Sequence, residues 1–345
     1  MMGQGITRRR FGAGAAAAAT MLAGGGRARA DEPLRLRCSL DTAPTHIRNI
    51  SVVDYLGKVE AASGGKIKGE VFHSGQLFAD LDIAKALIQG QVEMAAPGSW
   101  TITGIVPDAD LFQLPVMYGQ SIDTVHKVID GKAGSIVADE IKQRLRAHVV
   151  GPWMDLGFQT WYTTLKPLNS LDDLKGLKVR NSGGAGQAWR ARFVGAIPNT
   201  TAWPNVPLAL SQGMFDGLVS TNQSVQVAQL WDAGVKYSFE DHHFLAMYVP
   251  LISNSFWDKL TEEQQKMMTD LWVENVPAYR ANMAAAQEQA KQVLTEHGVK
   301  FAAPTPDQIV ETRHRMAAEQ DDLAKEIKIS PDLVKLVTAE VGGPA

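Results

Sequence analysis

The residues with the most legible chemistry run Ser170-Leu171-Asp172-Asp173-Leu174-Lys175-Gly176-Leu177-Lys178-Val179-Arg180. Ser170 and Asp173 have the spacing of a helix cap, and Asp172 and Asp173 suit the positive end of a helix dipole. Gly176 can end that turn, after which alternation predicts a strand. Leu177 and Val179 share one of its faces and Lys178 and Arg180 the other, so Arg180 leaves the strand end away from the apolar side. In open α/β sheets that end borders the ligand crevice. A guanidinium there can grip a carboxylate through two parallel hydrogen bonds, a geometry that lysine cannot reproduce.

The elements that must position this arginine follow a strand and helix alternation along the chain. Leu34 to Leu40 reads as a strand, and a helix is expected from His46 to Ala62 with Ile50, Val53 and Leu56 to Val59 on its buried side. Lys66 to Phe72 reads as a strand, Asp80 to Gln89 as a helix and Val92 to Ala96 as a strand. A second α/β set runs from Trp161 to Val219. Thr261-Glu262-Glu263-Gln264 has the form of a capping box and opens a helical stretch to Glu296, just before Gly298. Such a helix exceeds ~50 Å at ~1.5 Å per residue, longer than one small lobe is wide, and Pro277 is expected to kink it. The fold class is therefore α/β, built of βαβ units.

Composition narrows the function. The chain has 345 residues, 45% hydrophobic and 21% charged, enough for two cores. Residues 1 to 30 hold five arginines and no acid, which leaves 29 basic against 37 acidic residues beyond them and disfavours nucleic acid as a partner. Thr7-Arg8-Arg9-Arg10-Phe11-Gly12, an Ala/Gly-rich stretch and Ala28-Arg29-Ala30 have the form of a twin-arginine export signal with a small-residue cleavage site. The reading is a signal peptide over 1–30 and a periplasmic mature chain. Cys38 is the single cysteine and reads as a small buried residue near the first strand. His242 and His243 point opposite ways on extended chain and read as loop or surface residues, so no metal is expected. Gly183-Gly184-Ala185-Gly186 lacks the dinucleotide spacing, and no Gly-x-Ser-x-Gly, His-Glu-x-x-His or paired-cysteine motif is present. Neither a catalytic residue nor a cofactor is expected.

Several segments resemble, in order, the solute-binding proteins of TRAP (tripartite ATP-independent periplasmic) transporters, of the C4-dicarboxylate-binding type. Ser63-Gly64-Gly65-Lys66-Ile67 with Phe72-His73-Ser74-Gly75-Gln76-Leu77, then Phe112-Gln113-Leu114-Pro115, then the strand ending in Arg180, and Ala209-Leu210-Ser211-Gln212-Gly213-Met214-Phe215-Asp216-Gly217 carry the likeness. It implies a two-lobed periplasmic fold with a hinge and a long lobe-spanning C-terminal helix. Lobe one would comprise 31–157 plus 245–285, and lobe two 158–244 plus 286–345. It also implies a small organic-acid ligand and, as partners, a small and a large integral membrane subunit. Besides Arg180, it places Asn181, Trp203, Ser220 and Tyr248 near ligand, and Asp41, His46 and Trp100 in loops facing the cleft.

Two departures shape the expected ligand. Many members carry a second basic residue upstream of the strand arginine, whereas no arginine lies here between Arg146 and Arg180; Gly157 to Tyr162 fills that region. Many also continue Asp-Gly-x-Glu-Asn-Pro where this chain reads Asp216-Gly217-Leu218-Val219-Ser220-Thr221. Trp161, Trp203, Trp100 and Tyr248 supply more aromatic surface than a small diacid needs. The expected ligand is a monocarboxylate with an apolar or aromatic body, with a C4-dicarboxylate as the alternative. Competing classes are an exported enzyme and a periplasmic sensor subunit.

Overall fold

A computed structural model describes residues 32–342; the twin-arginine segment lies outside the described residues. Among the described residues no helix is long and apolar enough to cross a membrane. The strands are β1 (Leu34–Ser39), β2 (Ile67–Phe72), β3 (Met94–Ala95), β4 (Ala147–Val149), β5 (Met154–Phe158), β6 (Thr160–Thr163) and β7 (Lys178–Asn181). They continue with β8 (Ile197–Thr200), β9 (Gly217–Ser220), β10 (Tyr237–Phe239), β11 (Leu245–Tyr248), β12 (Leu251–Ser253) and β13 (Lys300–Ala302). One sheet has the order β2-β1-β3-β12-β4 and the other β13-β10-β6-β9-β7-β8. Each sheet with its helices forms one α/β lobe.

The link between the lobes is a third, two-stranded sheet. β5 follows β4 of the first sheet and leads into β6 of the second, while β11 follows β10 of the second and leads into β12 of the first. These two strands pair antiparallel, with a register shift between Ala246 and Met247 opposite the Asp155 to Gly157 stretch. Gly157 has φ +121°, a conformation that side chains resist. Two crossings with a bulge between them make a hinge.

Register decides which residues of the second sheet reach which core. Trp161 pairs with Val219 and Tyr162 with Leu218 on β6 and β9. Successive residues face opposite sides, so Tyr162 and Leu218 join a cluster with Phe215 and Val225, while Trp161 and Val219 join Val179 and Phe239. The strand ending in Arg180 is thus seated by Val179 on its apolar side. The turn before it forms as its residues suggest: Asp173 Oδ2 accepts from the backbone N–H groups of Asn169 and Ser170 at 2.8 and 3.1 Å. Gly176 has φ +77°.

The helix Glu262–Glu296 begins at the Thr261–Gln264 capping box and continues through Pro277. It buries Met268, Trp272 and Tyr279 in the core of the first lobe and Leu294 in that of the second, so one element ties both lobes. Two expectations are corrected. The helices Pro306–Ala317, Gln320–Glu326 and Pro331–Glu340 do not extend the second lobe: Met316, Leu323, Leu333 and Val337 pack into the first lobe's core. The helix Ile47–Ala62 is rotated from its expected face, leaving Ile50 and Val53 about half exposed and burying Arg48, Asn49, Val52 and Tyr55. Arg48 is the reason, because its charge finds partners only inside.

Candidate functional site

Arg180 lines a narrow cavity of about 30 Å³ between the lobes. Its side chain is 2% exposed. Nε and Nη2 donate to the Thr201 carbonyl at 2.9 and 2.8 Å, and Nη1 donates to Ser182 Oγ at 3.0 Å. Trp203 lies beside it, with the guanidinium carbon 5.4 Å from the ring centroid. Among the described residues Arg180 forms no ion pair, in contrast to the other arginine next to the cavity, which has two. Burial pushes its guanidinium down to about 10 while Asp41 pulls it up, so it stays a cation at neutral pH.

Arg48 is that second arginine, and the sequence reading missed it. Its Nη2 donates to Asp41 Oδ1 at 2.5 Å and its Nη1 to Asp80 Oδ2 at 2.8 Å and the Ala96 carbonyl at 3.1 Å. Thr42 Oγ1 accepts from Nη2 at 2.8 Å, and the guanidinium sits 4.2 Å from the Tyr248 ring centroid. Burial pushes the Asp80 carboxyl up, against the pull of Arg48. Arg48 is thus enclosed behind the wall, and Asp41, Asp80 and Tyr248 are what it presents to the cavity.

His46 caps the helix Ile47–Ala62 and connects the lobes. Its Nδ1 accepts from the Arg48 backbone N–H at 3.2 Å. That leaves the proton on Nε2, which donates to Ser224 Oγ at 3.1 Å. Burial, then Arg48, hold the imidazole well below its ordinary pKa, so it is neutral. Thr221 Oγ1 donates to the same Ser224 oxygen at 3.1 Å, and the Ser224 hydroxyl proton is left free at the cavity wall. Trp100 closes another side. Its indole lies on Gly98, where any Cβ would sit 2.1 Å from the ring, and near Gly183 of the second lobe, while Gly184 packs on the Trp100 carbonyl and Cβ. The Gly183-Gly184 pair therefore serves close approach of two lobes, not a phosphate.

Of the residues expected at the site, Arg180, Asp41, Trp100, Trp203, Ser220 and Tyr248 line this one cavity. His46 stands behind it, edge-on to Tyr248 at 6.2 Å. Two expected residues are not in this lining. Asn181 Oδ1 accepts from Gly183 N and Thr200 Oγ1, both at 3.0 Å, while its buried Nδ2 has no partner. Trp161 is a core residue, placed there by strand register, with its indole N–H donated to Asp241 Oδ2 at 3.1 Å. His243 is likewise internal, with Nδ1 2.9 Å from Asp241 Oδ1, while His242 stacks on Phe158. Among the described residues no group of three or more His, Cys, Asp or Glu is gathered to hold a metal. Thr42, Asp80, Leu81, Gln159, Ser182 and Ser224 join the lining unforeseen. For Ser182 the signal was its place two residues beyond Arg180.

A second contact between the lobes has a pH consequence. Asp110 is buried in the first lobe and accepts from the Gly186 backbone N–H at 3.0 Å. Burial pushes its carboxyl up to about 7, with Gly186 and Arg190 pulling it down. A carboxyl raised on folding contributes stability in full below its ordinary pKa near ~4, and loses it as pH rises through its folded value. Asp110→Asn keeps an oxygen for Gly186 and removes the ionisation. Its melting temperature is expected to match wild type near pH 4 and to exceed it at pH 8, by stability on the order of 2 kcal/mol. A constant difference across that range would count against the assignment.

Comparison with known proteins agrees with this architecture. Residues 40–326 match the family model of the bacterial extracellular solute-binding proteins, family 7. The C4-dicarboxylate-binding periplasmic protein DctP of Rhodobacter capsulatus is 25% identical over 339 residues, which is 97% of this chain and 100% of that one. The sugar acid binding protein DctPAm of Advenella mimigardefordensis, solved with galactonate, superposes with a TM-score of 0.84 at 21% identity, over 90% of this chain and 98% of that one. A TRAP periplasmic solute-binding protein of Sulfurospirillum deleyianum with bound succinate gives 0.82 at 24% identity, over 89% and 99%. The chain belongs to the family 7 solute-binding proteins, of the DctP type that serves TRAP transporters. That family consists of binding proteins, so the exported-enzyme alternative falls.

Proposed function

We propose that this chain is the periplasmic solute-binding subunit of a TRAP transporter, exported by its twin-arginine N-terminus. It captures an organic acid between its lobes and delivers it to a small and a large membrane subunit. The observation that carries the reading is Arg180: a buried cation without a carboxylate partner, held by the Thr201 carbonyl and the Ser182 hydroxyl at the wall of the cleft. An isolated buried charge is costly, and a ligand carboxylate relieves that cost only when the lobes are closed around it. Ligand would thus favour the closed form by pairing Arg180, with β5 and β11 as the hinge between lobes divided near residues 157 and 245.

The cavity supports one carboxylate better than two. Arg180 is its single lining arginine, and the segment where relatives carry another basic group supplies Gln159 instead. Trp100, Trp203 and Tyr248 offer faces for the ligand body. The test is a melting-shift screen of the mature chain over organic acids, with mass spectrometry of any ligand that co-purifies. Ligand at ~100 times its Kd should add about 2.7 kcal/mol of stability, read as a clear rise in melting temperature. A best ligand that lacks a carboxylate would reject the reading.

A further inference from the structure

The end of the cavity formed by the first lobe is rich in acceptors. Asp41 gives Oδ1 to Arg48, and Asp80 gives Oδ2 to Arg48 and, at 3.4 Å, to Gly98 N. No donor among the described residues reaches Asp41 Oδ2 or Asp80 Oδ1, although both residues line the cavity. Gln159 lines it too, is 1% exposed, and its Oε1 has no hydrogen-bond partner. Three acceptors without donors line the same cavity as Arg180, its single lining cation. A second ligand carboxylate would meet Asp41 as a like charge and bring no donor. A wholly apolar body would leave the same oxygens buried and unsatisfied.

Resting on Arg180 as the carboxylate anchor, we propose that the ligand is a monocarboxylate whose far end carries hydrogen-bond donors. Hydroxyl or ammonium groups there are received by Asp41, Asp80 and Gln159, while the body's faces lie on Trp100 and Trp203. This turns the expected apolar body into one that is apolar on its faces and donor-bearing at its edge. It also separates the chain from a diacid binder by charge: two aspartates flank one enclosed arginine where a second free cation would be needed.

Calorimetry on the mature wild-type chain decides it, with galacturonate and other polyhydroxy monocarboxylates, leucine and other amino acids, cyclohexanecarboxylate and other unsubstituted monocarboxylates, and succinate. The hydroxy or the amino class should bind at least about tenfold more tightly than the unsubstituted one, the gain of one hydrogen bond to a charged acceptor, and succinate should bind no better. The first two classes separate the hydroxyl source from the ammonium source. Asp41→Asn and Asp80→Asn should each erode that preference. Should either variant fail to fold, because each touches Arg48, the wild-type series still decides. Tightest binding of cyclohexanecarboxylate or succinate overturns this proposal and leaves the Arg180 anchor standing. Binding of no acid in any class overturns both.

Discussion

Arg180→Ala is expected to weaken binding of the acid ligand by at least about a hundredfold, the loss of two hydrogen bonds to a charged group at roughly 1.5–3 kcal/mol each. Arg180→Lys should recover only part of this, since an ammonium cannot make the parallel pair. The melting temperature of the ligand-free protein should move by only a few degrees. The guanidinium is buried and lacks an ion pair, so its removal relieves a desolvation cost while leaving the Thr201 carbonyl, which accepts from Nε and Nη2, without those donors. These effects oppose each other. Calorimetry together with a ligand-free melting curve separates the two readings: unchanged affinity would sink the anchor, and a collapsed melting curve would make Arg180 structural.

Arg48→Ala should do the reverse. Arg48 is fully buried and holds both Asp41 and Asp80, so its loss strands two carboxylates in the interior. Removing one partner of a buried pair costs about 3–5 kcal/mol, and the melting temperature at pH 8 should fall on the order of 10 °C. The damage should shrink as pH falls, because stranded carboxyls can take up protons. Melting curves of the variant and wild type at pH 5 and pH 8 test this. A loss of equal size at both would mean that packing against Tyr248, and not charge, is what Arg48 supplies.

The two arginines mark what the sequence made legible. Arg180 was readable because strand alternation is local: Val179 had to face the core, so its neighbour could not. The strand and helix order and the spanning helix were readable for the same reason, each resting on a repeat or a cap within a few residues. Arg48 was hidden because apolar Ile50 and Val53 outvoted it when the helix face was chosen, although its partners lie at positions 41 and 80. Only the tertiary fold brings these together. Trp161 failed differently: an aromatic fills a core or a pocket equally well, and strand register, settled by pairing with Val219, made the choice. The same pairing places Gln159 just ahead of β6, at the cavity. An amide carries no signal in a single sequence that distinguishes this duty from an ordinary surface role.

Cys38 has one further use. It is the only cysteine in the chain, lies in β1 with no exposed surface, and its thiol is pushed up to about 12 by burial, with Arg48 pulling the other way. A thiol so buried and so reluctant to ionise reacts slowly with maleimides and methanethiosulfonates. The unmodified chain is therefore a silent background for site-directed labelling. Cysteines introduced at exposed Ile50 on the first lobe and Leu208 on the second could carry a spin or dye pair without first removing Cys38. The distance between the labels would then follow opening and closing in solution, ligand by ligand.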